Sequence, residues 1–119
     1  MLFIDANIVI EIILKRSEIE YCFSVLEKYE EIFISPITFH LVHYFCSKFT
    51  SIQLISEFLN GVKITSIDQF VCDRARAIIQ DSDMDDALQI ASCLDSGIDT
   101  VFTLDNKMKS RYANFVRFI

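Results

Sequence analysis

The sequence predicts an α/β fold: a three-layer α/β/α sandwich built on a mostly parallel sheet of about five strands. Three observations predict it. Short apolar runs alternate along the chain with segments of helical periodicity, the pattern of successive strand–helix–strand units. Hydrophobic residues fill 52% of 119 positions, eleven Phe among them, enough for a substantial core. Only two Gly and one Pro occur, too few for an all-β protein with many tight turns or for a disordered chain. The length predicts a single domain over residues 1–119.

The elements follow in order. Leu2-Phe3-Ile4 reads as a buried strand with Asp5 directly behind it. Ile8 to Leu14 is apolar except for Glu11 and predicts a well-buried helix. Ile19, Cys22, Phe23, Leu26 and Tyr29 recur at helical spacing, with Glu18, Glu20, Glu27, Lys28 and Glu30 on the other face. Ile32-Phe33-Ile34 is a second strand. Ser35-Pro36 then starts a helix, Ser at the cap and Pro at the first helical position. That helix, Ile37 to Ser47, is apolar nearly all round, so it is a core helix or an interface helix. Thr50 to Leu59 is a further helix stopped by Asn60-Gly61. Val62-Lys63-Ile64 is a strand, Asp68 to Gln80 a helix, and Ala87, Ile90, Ala91 and Leu94 carry another helix that Gly97 ends. Thr100 to Thr103 and Phe115 to Ile119 complete the strands.

Charge and cysteines narrow the function. A formal net charge of −6 argues against a constitutive nucleic-acid binder with a basic face, but not against an enzyme that reaches substrate phosphates through a divalent metal. Cys22, Cys46, Cys72 and Cys93 are widely spaced, without a CxxC pair, and predict reduced thiols in a cytoplasmic protein. The first strand begins at Leu2, so no signal peptide is expected. No apolar run approaches the ~18 residues of a membrane span.

Seven of the seventeen acids lie between Asp81 and Asp105, and no Lys or Arg occurs from Ala77 to Asn106. In a parallel sheet, sites form beyond the carboxyl ends of the strands, where Asp5 and Asp105 fall. If Asp5, Asp86 and Asp105 meet there, their like charges repel, and a divalent cation relieves the repulsion. Mg²⁺ takes oxygen ligands, keeps several waters and needs few carboxylates. Such ions activate water and stabilise the leaving oxygen in phosphodiester hydrolysis. Each acid also has a plainer reading. Asp5 can cap a helix starting near Ala6, Asp83 and Asp86 have the spacing of a capping box, and Asp105-Asn106 can be a turn.

The chain resembles PIN domains, specifically the small VapC-type toxin ribonucleases of bacterial toxin–antitoxin pairs. The resemblance spans essentially the whole chain. It is carried by Leu2-Phe3-Ile4-Asp5-Ala6-Asn7, by Ile34-Ser35-Pro36-Ile37-Thr38, and most specifically by Asp83-Met84-Asp85-Asp86-Ala87-Leu88-Gln89-Ile90-Ala91. Gly97-Ile98-Asp99 and Val101-Phe102-Thr103-Leu104-Asp105 follow in order. It implies a PIN-like, Rossmann-like fold and an Mg²⁺- or Mn²⁺-dependent endoribonuclease. Asp5 and Asp86 match the family's metal-binding acids, and Asp105 matches the Asn or Asp after the fourth strand. Asp83 matches an accessory acid, and Asn7 and Thr103 match polar residues that orient acids or water. The implied partners are an RNA substrate and a cognate antitoxin.

Two departures stand out. Leu41, preceded by His40, occupies the place of the family's Glu three residues after the Thr of the S-x-x-T run. Met108-Lys109 stands near the place of a further Asp-Phe. The missing Glu predicts weakened catalysis, and the alternative is a degenerate domain that binds RNA or protein without cutting.

The basic cluster Lys107, Lys109 and Arg111 is a candidate for holding RNA phosphates, or else a solvated loop. His40, His43 and Cys46 share one helical stripe, where soft-metal binding is less expected than ordinary packing, and His43 is a candidate stand-in for the missing Glu. The apolar faces of the Ile37 to Ser47 and Ile52 to Leu59 helices are candidates for core packing, a homodimer face or the seat of an antitoxin helix. A receiver domain is disfavoured, because only Asp5 follows the first strand and neither Ser35 nor Thr65 is an Asp.

Overall fold

The computed structural model describes residues Met1–Ile119. Its strands are β1 (Leu2–Ile4), β2 (Ile32–Ile34), β3 (Lys63–Ile64), β4 (Thr100–Phe102) and β5 (Arg117–Phe118). Its helices are α1 (Ala6–Ile13), α2 (Ile19–Leu26), α3 (Pro36–Cys46), α4 (Ile52–Leu59), α5 (Gln69–Ile78), α6 (Met84–Asp95) and α7 (Asn106–Tyr112). The strands form one sheet in the order β3-β2-β1-β4-β5, and every pairing is parallel.

Side chains alternate across the sheet and divide the core in two. Leu2, Ile4, Ile34 and Phe102 point to one face, where α1 to α4 supply Ile8, Val9, Ile12, Cys22, Val25, Val42, Cys46 and Ile55. Phe3 and Val101 point to the other, against α5, α6 and α7. Both faces are covered, which is why β1 and β4 are buried at every position and β1 is apolar throughout. The three layers agree with the sequence-based expectation.

Capping fixes most helix starts. Ser35 Oγ accepts from Thr38 N at 3.1 Å, Ser51 Oγ from Leu54 N at 3.2 Å and Asp68 Oδ1 from Val71 N at 3.0 Å. Gly97, with φ of 76°, turns the chain out of α6 in the left-handed region that a side chain disfavours.

One reading needs correction. The Asp105-Asn106 turn and the basic loop after it are the start and body of α7. This helix was missed because Met108 and Tyr112 are its only buried side chains, one turn apart among polar neighbours. α3, read as a core or interface helix, turns Thr38, Val42 and Cys46 to the core and leaves Phe39, Tyr44 and Phe45 exposed. Its apolar residues lie on both faces, so periodicity could not tell which one is covered. No helix is long and apolar enough to cross a membrane.

Candidate metal centre

The strand order reverses between β1 and β4, which lie side by side, so their carboxyl ends are the place where an open parallel sheet forms its sites. Asp5 leaves β1 there, and Thr103 to Asp105 leave β4. Asp5 is 7% exposed, and its backbone N–H donates to Phe102 O at 3.0 Å, which ties it to β4.

Four donors hold the Asp5 carboxylate. Oδ1 accepts from Ala6 N at 2.7 Å and from Gln89 Nε2 at 2.9 Å. Oδ2 accepts from Thr103 Oγ1 at 2.8 Å and from Asn7 Nδ2 at 3.2 Å. The two polar residues expected beside the acids are therefore in contact with Asp5. Asn7 Nδ2 also reaches Thr103 Oγ1 at 3.1 Å, and Asn7 Oδ1 accepts from Leu104 N at 3.2 Å. Thr103 Oγ1 accepts from Asp105 N at 3.1 Å. Loop and strand ends are thus stitched into one polar unit, and no buried side-chain nitrogen or oxygen lacks a partner.

Asp83, Asp86 and Asp105 approach from two helix starts. Asp83 caps α6 through Asp86 N at 3.4 Å, and Asp105 caps α7 through Lys107 N at 2.9 Å and Met108 N at 3.3 Å. Asp86 sits half-buried in the first turn of α6, and its carboxyl is pushed up to about 8. Burial is the first cause. A side-chain hydrogen bond with Asp83 that needs the proton is the second, and the charges of Asp5, Asp83 and Asp105 add to it. Asp5, Asp86 and Asp105 therefore feel one another, and no Lys or Arg pairs with any of the three.

This donor set suits a hard dication: oxygen only, several negative charges and no resident cation. The side chains do not converge tightly, for no three His, Cys, Asp or Glu groups are close enough to hold an ion directly as they stand.

The basic residues separate. Arg111 turns inward and pairs with Asp81 at 3.3 Å and Asp83 at 3.4 Å, while its neighbour Tyr112 donates to the Asp83 carbonyl at 3.3 Å. Lys107 is exposed and Lys109 half-buried, and neither makes an ion pair. Leu41 is half-buried on α3. His43 Nδ1 donates to Phe39 O at 2.7 Å, so that nitrogen is spent on its own helix, and His40 lies against Tyr44. The His40, His43 and Cys46 stripe does not gather into a metal cluster.

The sequence reading missed Gln89, Ser35 and Thr38. Gln89 Oε1 accepts from Ser35 Oγ at 2.9 Å and from Thr38 Oγ1 at 2.7 Å, while its amide nitrogen reaches Asp5. The available signal was a lone amide inside the run Ala87-Leu88-Gln89-Ile90-Ala91, three residues after Asp86 and so on the same helix face.

The model of the PIN domain family matches residues 2–114. The chain belongs to the PIN domain family. Solved PIN-like structures share its fold. A toxin–antitoxin complex from Klebsiella pneumoniae aligns with a TM-score of 0.82 and 20% identity, covering 100% of this chain and 96% of that one. VapC20 of Mycobacterium tuberculosis, described as a sarcin–ricin loop cleaving toxin, aligns at 0.77 and 12% identity over 98% and 97%. VapBC2 of Rickettsia felis, bound to a fragment of promoter DNA, aligns at 0.72 and 16% over 100% and 98%. No curated protein matches this PIN domain by sequence.

Proposed function

We propose that this PIN domain is a divalent-metal-dependent endoribonuclease and the toxin of a toxin–antitoxin pair. The observation that carries the reading is the meeting of Asp5, Asp86 and Asp105 at the reversal point of the sheet. There Asp86 is pushed up to about 8 and none of the three has a cationic partner. Repulsion of this kind, kept in a fold that buries few other acids, marks a site prepared for positive charge.

Asp5, Asp86 and Asp105 would hold Mg²⁺ or Mn²⁺, with Asp83 as an accessory acid. A bound divalent ion supplies Lewis-acid polarisation of the phosphate and activation of a water for attack on phosphorus. The chain's own residues do the rest. Asn7 and Thr103 orient Asp5. Asp86 carries a proton near neutral pH and must release it for the site to reach full negative charge. Exposed Lys107 and half-buried Lys109 of α7 hold substrate phosphates. Arg111 joins them on giving up Asp81, the exposed partner of its two.

The neighbours described as toxin–antitoxin complexes support an antitoxin as partner. Exposed Phe39, Tyr44, Phe45 and Phe49, with Ile52 and Leu54 of α4, offer apolar surface for an antitoxin helix or for a homodimer. Free thiols at all four cysteines, three of them buried, accord with a cytoplasmic location.

A second reading, a PIN domain that binds RNA or protein without cutting, is favoured by one observation: α3 carries no acid, and Leu41 stands where the resemblance leads one to expect a Glu. Incubating wild type and Asp5→Asn with a mixed RNA pool in Mg²⁺, Mn²⁺ or chelator separates the two. Metal-dependent cleavage lost in Asp5→Asn is the expected result. Cleavage retained by Asp5→Asn refutes the proposed site, and no cleavage by either protein favours the binding-only reading.

A further inference from the structure

Gln89 is 2% exposed, and its amide bridges two parts of the protein that are far apart in sequence. Nε2 donates to Asp5 Oδ1 at 2.9 Å. Oε1 accepts from Ser35 Oγ at 2.9 Å and Thr38 Oγ1 at 2.7 Å, both at the start of α3. The amide has one sensible orientation. Turned over, it would set its oxygen against a carboxylate and its NH₂ against two hydroxyls. Ser35 Oγ already accepts from Thr38 N at 3.1 Å, which directs its own proton toward Gln89.

The division of labour at Asp5 follows from this. An ionised carboxylate has about four acceptor positions. At Oδ1 both are taken by short bonds, from Ala6 N and from buried Gln89. At Oδ2 the bond from half-buried Asn7 is the longest of the four, at 3.2 Å, and the same Asn7 nitrogen is shared with Thr103. Oδ2 also keeps the 2.8 Å bond from buried Thr103, so the Asn7 position on Oδ2 is the one place on the carboxylate able to exchange a partner.

We propose that Gln89 is a positioning residue of the nuclease site, locked by Ser35 and Thr38, that fixes the plane of the Asp5 carboxylate so that Oδ2 faces the cation. The proposal rests on the metal-dependent reading above. It assigns to a neutral network the link between α3 and the site for which α3 offers no acid. Partners of this kind behind a ligand typically change metal affinity or activity by ~10–100-fold when removed.

The test uses the full chain and Mn²⁺ alone, so it needs no knowledge of the RNA target. Mn²⁺ affinity is read by electron paramagnetic resonance titration, beside melting curves, for wild type, Gln89→Met, Thr38→Val and Thr38→Ser. Gln89→Met keeps the side-chain volume without the amide and should bind Mn²⁺ at least ~10-fold more weakly. Thr38→Val should weaken binding ~3-fold, and Thr38→Ser, which restores the hydroxyl, should recover wild-type affinity. On any RNA the wild type cuts, kcat of Gln89→Met should fall with KM within about twofold. If Gln89→Met does not fold, the Thr38 pair decides, since Val is isosteric with Thr and leaves the Ser35 cap intact. Wild-type Mn²⁺ affinity in folded Gln89→Met, or equal weakening in Thr38→Val and Thr38→Ser, overturns the proposal alone. A wild type that binds no Mn²⁺ overturns the metal-dependent reading and the proposal with it.

Discussion

Asp86→Asn should make this protein more stable while it removes the proposed activity. Asp86 ionises near 3.8 in an unfolded chain and at about 8 in the native one. The native state therefore holds the extra proton between those values. Stability from this group is fully present below pH ~4 and is lost as the pH rises toward and through ~8. For a carboxyl sealed from water the difference would be worth ~6 kcal/mol. Asp86 is only partly buried, and solvent screening of the neighbouring charges brings this to ~1–2 kcal/mol. The groups that face it are Asp83 on its own helix start, Asp5 after β1 and Asp105 at the start of α7.

Asn keeps the shape and a donor for Asp83 and never ionises. For 119 residues each kcal/mol moves the melting temperature by ~4 °C, so Asp86→Asn should melt ~4–8 °C above wild type at pH 8.5 and by a smaller margin at pH 5. The assay is thermal unfolding of both proteins across that range in chelator. Saturating Mg²⁺ should reverse the order at pH 8.5, since ion at 100 times its dissociation constant adds ~2.7 kcal/mol to the protein that binds it. A wild type whose lead or deficit over Asp86→Asn does not change with pH would refute the argument that Asp86 is charged against its neighbours.

Four further outcomes follow. Mn²⁺ affinity of the wild type should climb with pH up to ~8, as the Asp86 proton is displaced, and Asp86→Asn should flatten the profile; a calorimetric titration at three pH values checks it. Thr103→Val removes the 2.8 Å donor to Asp5 and should lower cleavage or Mn²⁺ affinity ~10–100-fold, read by initial rates and titration. Arg111→Ala releases Asp83 and exposed Asp81, and a cost of ~0.5–1 kcal/mol should appear in urea unfolding, smaller at high salt. Phe45→Ser with Phe49→Ser strips the ~220 Å³ groove that these residues form with Ile10, Leu14 and Arg16; it should weaken self-association or antitoxin capture in sedimentation without lowering the melting point.

The fold was readable because its signals are local. β1 and β2 are apolar runs of three residues, and Ser35-Pro36, Asp83 and Gly97 mark helix ends by their own chemistry. The strand ends then located Asp5 and Asp105 without knowledge of the contacts. What escaped depends on distant residues. Gln89 meets Asp5 across 84 positions and Thr38 across 51, and nothing in a single window announces such a pairing. Arg111 reads as a free cation until Asp83, 28 positions away, is seen beside it. α7 escaped because a seven-residue helix with two buried side chains carries too little periodicity to separate from a loop.

The capping and metal readings of the acids turn out to be one arrangement rather than alternatives. Asp5, Asp83 and Asp105 each cap a helix, α1, α6 and α7 respectively, and all three helices begin at the same edge of the sheet. A helix start offers free N–H groups and the positive end of the peptide dipole, so it holds a carboxylate in one orientation at little cost. Three such starts bring these negative charges together, with Arg111 pairing one of them, Asp83. Asp86 is the exception. It is no cap, it lies within the first turn of α6, and it absorbs the repulsion of the others as a bound proton. The fold therefore pins three carboxylates with backbone donors and leaves the fourth to answer the charge of whatever enters. On that argument, the first group to respond to a cation is Asp86, and the capping acids keep their places with or without one.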